Sequence, residues 1–157
     1  MEARLNLIEN PVIGKVSKYL AAAAKPISES GLPASTQELV KLRASQINGC
    51  AMCTDMHSKE ALAAGESQLR LNLVAVWREA TVFTDAERAA LELTEQGTRI
   101  ADAATGVSDE VWLEATKSFD DEQLGALVAL IAEINAWNRL NVIARTPAGN
   151  YRPGQWS

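Results

Sequence analysis

Cys50, Cys53 and His57 fall within eight consecutive residues, Cys50-Ala51-Met52-Cys53-Thr54-Asp55-Met56-His57, and the 157-residue chain has no other cysteine or histidine. All its thiol and imidazole chemistry is therefore concentrated in one place. A CxxC pair can cycle between dithiol and disulfide, and a nearby imidazole can move protons for it. On a helix the spacing i, i+3, i+7 brings the three side chains within roughly 60° of one another. Asn48-Gly49 just upstream places Cys50 in or before a first helical turn, where unpaired backbone N–H groups favour a thiolate. A helix N-terminus and CxxC spacing both lower a thiol pKa. The thiolate is the nucleophile, so the cluster suits attack on a disulfide or a peroxide. A sulfenic acid formed on one cysteine can then be resolved by the other.

Other readings of the same residues compete. CxxC with a histidine is also a zinc signature, but a structural zinc site needs a fourth ligand, and only a carboxylate is left to supply it. A lone histidine is usually a satisfied polar residue; its place one turn beyond Cys53 favours chemistry. Glu38 reads most simply as the partner of Ser35 in a capping box, Ser35-Thr36-Gln37-Glu38. On one unbroken helix it would lie roughly 120° from the cysteine face. It reaches the thiols only if the chain bends at Asn48-Gly49. Asp55 and Glu60 read as solvated, and Trp77, Trp112 and Trp137 as core or interface.

The elements that must position the cluster read as helices throughout, giving an all-α single domain over 1–157. Ala, Leu, Glu, Gln, Lys and Arg dominate, aromatic residues are 5%, and alternating β-branched runs are absent. Pro11 to Ala24 reads as a first helix ending before Pro26. A second starts at Ser35 and stops at Asn48-Gly49, where glycine accepts the left-handed conformation. A third runs from near Cys50 to Ala64, with Gly65 as its stop, and a short one covers Leu69 to Trp77. Thr84-Asp85-Ala86-Glu87 is a capping box that opens a helix to about Ile100. Ser108 opens a short helix with Asp109 and Glu110 in its first turn. Asp120, Asp121 and Glu122 suit the start of the last long helix. Its Leu124, Leu127, Val128, Ile131 and Ile134 should face the core. From Pro147 onward the chain reads as an irregular tail.

Composition narrows the function classes. The net charge of −5 and a pI near 4.9 argue against a uniformly basic nucleic-acid-binding surface. No apolar run reaches membrane-spanning length, and the N-terminus lacks a signal-peptide pattern. Two cysteines this close make no secreted disulfide framework. In a reducing cytoplasm, the expected location, the pair would be catalytic or metal-binding.

Glu38, eleven intervening residues, then Cys50-x-x-Cys53-x-x-x-His57 in the setting Leu-Arg-Ala-Ser-Gln-Ile-Asn-Gly-Cys closely resembles the alkyl hydroperoxidase D (AhpD-like) branch of the carboxymuconolactone decarboxylase superfamily. Ile134-Asn135-Ala136-Trp137-Asn138-Arg139 is similar to that branch as well. The resemblance implies an all-α, homo-oligomeric thiol peroxidase without a cofactor. Its substrate would be a hydroperoxide, and a dithiol protein of lipoyl or thioredoxin-like type would reduce it. It implies that Cys53 is peroxidatic, that Cys50 resolves it, and that Glu38 and His57 form a proton relay in which Glu38 accepts the proton. Met52 stands where the family's best-known peroxidase has a further histidine, and methionine cannot relay a proton. The lactone decarboxylases of the superfamily typically lack the CxxC. A decarboxylase-like enzyme with vestigial thiols, and a non-enzymatic zinc-binding or redox-sensing module, are the alternative readings.

Overall fold

A computed structural model describes residues 2–156. Among them the regular structure is all helical. α1 spans Pro11–Glu29, α2 Ala34–Ile47, α3 Ala51–Ala63, α4 Gln68–Leu73, α5 Asp85–Thr98, α6 Asp109–Thr116 and α7 Asp121–Ala144, and a single 3-10 turn, Val74–Val76, extends α4. No helix is long and apolar enough to cross a membrane among the described residues.

α2 is the central element, because it buries side chains on two sides. Val40 joins a core with Ile27 of α1, Leu93 of α5, Ala115 of α6 and Leu124, Leu127 and Leu130 of α7. Leu39 and Leu42 join a second core with Ala61 of α3, Leu71, Val74, Trp77 and Leu91. A smaller cluster holds Cys50, Met52, Cys53 and Tyr151, with Met56 against it. Burial of this kind, at about 25 cal/mol per Å² of apolar surface, fixes where α2 lies and hence where its polar side chains point.

Start signals written in side chains operate where expected at three helices. Thr84 and Glu87 close a reciprocal capping box on α5. Ser108 caps α6. Asp120 and Gln123 form a second box on α7. Two expected boundaries are overturned. α1 does not end before Pro26 but continues through it to Glu29. An internal proline costs a helix about 3 kcal/mol, and here the last turn is retained by burial of Ile27 and by Ser30 Oγ donating to the Ile27 carbonyl at 2.7 Å. The Ser35 capping box does not form either. α2 begins one residue earlier, at Ala34, with Pro33 in the cap position and no side-chain cap. Ser35 is therefore already inside the first turn, and Glu38 is released for other contacts. Val128 is the one residue of the expected α7 core stripe that faces out, at 50% exposure.

The junction of α2 and α3 is built by a few backbone bonds. Gly49, at φ +66°, occupies the left-handed position that ends a helix without a Cβ penalty. Its N–H donates to Gln46 O at 3.3 Å and the Cys50 N–H to Ser45 O at 2.9 Å, the bond pattern of a Schellman stop. Cys50 thereby closes α2 and serves as the N-cap of α3. A buried amide network holds this elbow against α7. Asn48 Nδ2 donates to Asn135 Oδ1 at 2.9 Å and Asn138 Oδ1 at 2.8 Å. Asn138 Nδ2 in turn donates to Ser45 Oγ at 3.0 Å.

Candidate active site

The elbow turns α3 back on α2, and this brings Glu38 to His57. The His57 ring nitrogen Nδ1 donates to Glu38 Oε2 at 3.0 Å, across 19 residues of sequence. Lys41, one turn along α2, donates from Nζ to Glu38 Oε1 at 2.6 Å. The Glu38 carboxylate thus lies between an imidazole and an ammonium. Burial alone would push its pKa up; the His57 hydrogen bond and the charge of Lys41 outweigh this and bring it down from 4.5 to about 2. Glu38 is a carboxylate at any physiological pH. With Nδ1–H committed to Glu38, the other ring nitrogen, Nε2, is left to accept a proton.

Cys50 and Cys53 are joined as a disulfide with Cα atoms 5.4 Å apart, and each residue is 1% exposed. The Cys53 backbone N–H donates to Cys50 Sγ at 3.2 Å, which is the N-cap bond of α3. On the other side, Asn141 Nδ2 approaches Cys53 Sγ at 3.7 Å, and the same amide donates to Trp137 O at 3.0 Å. Each sulfur therefore has its own N–H donor, one from backbone and one from α7. Such donors stabilise a thiolate once the disulfide opens.

The structure pairs the four residues singled out from the sequence two by two: Cys50 with Cys53 at the start of α3, and His57, one turn further along α3, with Glu38 of α2. It also supplies residues that sequence reasoning missed. Lys41 carried a usable signal, since i, i+3 spacing from Glu38 on a helix makes contact the default. Asn141 and Glu133 carried none, because α7 was read for its apolar stripe. Burial pushes the Glu133 carboxyl above its ordinary value, and the Trp137 indole N–H and the charges of Lys41 and His57 offset this only in part. It is a second carboxylate within electrostatic reach of the pair. Asp55 and Glu60, read as solvated, instead receive hydrogen bonds from the C-terminal tail. Of the tryptophans read as core or interface, Trp77 lies in the core and Trp112 is 40% exposed. Among the described residues no group of three or more His, Cys, Asp or Glu side chains is placed to hold a metal ion.

The profile of the Carboxymuconolactone decarboxylase family matches residues 15–96, which takes in α2, the elbow and the CxxC helix. An uncharacterized protein of Bacillus subtilis (strain 168), YdfG, is 38% identical over 125 residues, 80% of this chain and 84% of its own. A crystal structure from Agrobacterium tumefaciens, of a protein of unknown function described as a candidate antioxidant defence protein AhpD, superposes with a TM-score of 0.88 at 37% identity, covering 96% of this chain and 100% of that one. An uncharacterized peroxidase-related protein from Ralstonia eutropha JMP134, with an AhpD core, shares the fold with a TM-score of 0.74 at 18% identity, over 87% of this chain and 72% of that one. With its all-α architecture and its CxxC at the start of α3, the chain is an AhpD-like member of the carboxymuconolactone decarboxylase superfamily.

Proposed function

We propose that the chain is a thiol-dependent peroxidase that reduces hydroperoxides through Cys50 and Cys53 and is returned to the dithiol by a dithiol reductant. The observation that carries this reading is the His57–Glu38 hydrogen bond at 3.0 Å beside a disulfide-forming pair at a helix N-terminus. In the reduced state the Cys53 thiolate attacks the terminal oxygen of ROOH. The O–O bond breaks, ROH leaves with one proton, and Cys53 becomes a sulfenic acid. Cys50 then attacks that sulfur, water departs with the hydroxyl, and the S–S bond forms. The reductant's two thiols reverse the oxidation by exchange.

Each neighbouring group has a distinct part. His57 Nε2 receives the thiol proton, since Nδ1–H is committed to Glu38 and Nε2 is then the ring's acceptor nitrogen. A Glu38 carboxyl held at about 2 is a poor final acceptor near neutral pH. It orients the ring and stabilises the imidazolium, so the proton stays on His57 rather than passing to Glu38. The role of Cys53 as the peroxidatic sulfur follows the family pattern, and the Asn141 amide is placed to support its thiolate. α1 leaves Val12, Val16 and Tyr19 exposed at 66, 43 and 79%. This favours a homo-oligomer, and light scattering that finds only a 16.9 kDa species would count against it.

Stopped-flow mixing of the reduced protein with hydrogen peroxide, tert-butyl hydroperoxide and cumene hydroperoxide tests the reading. One equivalent of peroxide should consume both thiols and yield the intramolecular disulfide. Two free thiols surviving excess peroxide would end it.

A further inference from the structure

The tail from Gly149 to Trp156 is a strap fastened to the same helix that carries the disulfide. Asp55 Oδ2 accepts from the Gly149 N–H at 2.7 Å and from the Tyr151 N–H at 3.4 Å. Lys59 Nζ donates to Gly149 O at 3.1 Å and Tyr151 O at 3.0 Å, and it pairs with Asp55 at 2.7 Å. Glu60 Oε1 accepts from the Tyr151 hydroxyl and from the Gly154 N–H at 2.8 Å. Burial and the Glu60 carboxylate push the Tyr151 phenol up to about 12, so it remains a donor. At i, i+4 and i+5, these three α3 side chains grip tail backbone on both sides of Tyr151.

The grip has one result at the site. Tyr151 is pressed into the cluster of Cys50, Met52 and Cys53, is itself 6% exposed, and leaves each cysteine 1% exposed. An open depression of about 680 Å³ reaches Cys50. Ser45, Gln46, Gly49, Cys50 and Thr54 line it on one side and Gly149 of the strap on the other. Of the two cysteines, Cys50 alone lines it. Cys53 carries the Asn141 amide on its sulfur.

Thiol–disulfide exchange depends on which sulfur is attacked and on access to it. We infer that the Tyr151 strap leaves the disulfide a single line of attack, along the depression to Cys50, and thereby selects the thiol that reduces it. An incoming thiolate forms a bond to Cys50 Sγ, the Cys50–Cys53 bond breaks, and Cys53 departs as a thiolate beside Asn141. The reductant's second thiol, deprotonated, then attacks its own sulfur in the mixed disulfide. It leaves as a cyclic or intramolecular disulfide and releases Cys50 as a thiolate. Slim dithiols follow this route directly. A dithiol embedded in a protein surface meets the strap first, so Tyr151 and its anchors determine specificity while taking no part in proton or electron transfer. The inference rests on the redox cycle proposed above.

The test compares reduction of the oxidised full-length protein by dithiothreitol and by a reduced thioredoxin, in wild type, Asp55→Asn and Tyr151→Ala. Melting temperatures confirm that each variant is folded, and Asp55→Asn loosens the strap without truncating any side chain of the buried cluster. Both variants should accelerate thioredoxin at least tenfold and dithiothreitol less than threefold. A brief glutathione pulse on wild type, quenched with iodoacetamide, should leave glutathione on Cys50 and the alkyl group on Cys53. Equal acceleration of both reductants, no acceleration of either, or glutathione found on Cys53 would overturn the inference. A disulfide that obeys these expectations but is never re-formed by hydroperoxide would remove the peroxidase reading and leave the strap's selectivity standing.

Discussion

Two glutamates, Glu95 buried and Glu38 half-buried, bear on the same helix in different company. Glu95 on α5 accepts from Arg43 Nη2 at 2.6 Å, from Arg78 Nη1 at 2.7 Å and from the Trp77 indole at 2.8 Å. Glu38 on α2 accepts from Lys41 and from His57. Burial opposes ionisation of both, and the donors around each win, so both carboxyls titrate below their ordinary range. The difference lies in what the donors can do next. An arginine does not give up its proton in a protein, and an indole N–H does not titrate, so the Glu95 cluster has one charge state and serves as a strut. His57 differs in kind: its Nδ1–H is given to Glu38, and its second ring nitrogen is left as an acceptor, which no arginine or indole offers. α2 contributes to both clusters, Arg43 to the first and Glu38 to the second. What separates the two clusters is one imidazole in place of the arginines and the indole.

The largest test of this division is at the sulfurs. Cys53→Ser should abolish peroxide turnover, while Cys50→Ser should react once and stall as a sulfenic acid on Cys53, with both variants folded. A sulfenic-acid probe that labels Cys50 in Cys53→Ser and nothing in Cys50→Ser would exchange the two roles. It would also show that the backbone N–H at the cap of α3 outweighs the Asn141 amide.

A paired substitution probes the carboxylates themselves. Glu38→Gln should lower turnover at neutral pH by up to about 10²–10⁴, the usual worth of an acid–base group such as the His57 imidazole that it orients. Melting should fall as well at neutral pH, because the amide cannot keep the charge-assisted bonds from Lys41 and His57, and part of the rate should return at alkaline pH, where the thiols ionise unaided. Glu95→Gln should affect stability alone: a loss of about 1.5–3 kcal/mol, as for hydrogen bonds to charged groups, with turnover per folded molecule unchanged. Chemical denaturation and stopped-flow on both variants give the four numbers. If Glu38→Gln melts early and reacts at the wild-type rate, both glutamates are struts.

The smallest effect is in acid. A carboxyl whose folded pKa lies below its ordinary value stabilises the fold above the ordinary pKa and loses that contribution as pH falls. For Glu38 the loss should be spread between pH 4.5 and about 2. Over that window the melting temperature of Glu38→Gln should fall less steeply than that of wild type. Parallel curves would mean that Lys41 and His57 do not hold the carboxylate as the geometry indicates.

What could be read from the chain follows the range of the interaction. The cysteine–histidine face, the Gly49 and Gly65 stops, and the Thr84 box are all written within a few residues, and the structure has each of them. Pro26 and Ser35 misled because local rules favour a break and a cap there, and tertiary burial of Ile27 and the early start of α2 overrode both. Glu38 was ambiguous for the same reason: its competing role was local, and its actual partner is reached only across the elbow. Nothing local marks Asn141 as a neighbour of Cys53, 88 residues away. Nor does anything mark Asp55 and Glu60 as anchors for a tail 94 residues downstream. Val128 shows a further limit, since helical spacing assigns a face but not its width.

The amide clamp on the elbow also bears on the order in which the protein is made. Asn48 meets its two partners 87 and 90 residues later in the chain. A ribosome therefore delivers both cysteines, His57 and Glu38 long before the helix that locks their relative orientation exists. A nascent chain ending before α7 is expected to carry an ordinary, unshielded dithiol, with neither the Asn141 amide nor the Tyr151 ring over it. Pulse labelling of stalled chains with a thiol reagent should show that exposure disappearing once α7 has emerged. Shielding of the cysteine pair is thus tied to the arrival of α7 and of Tyr151.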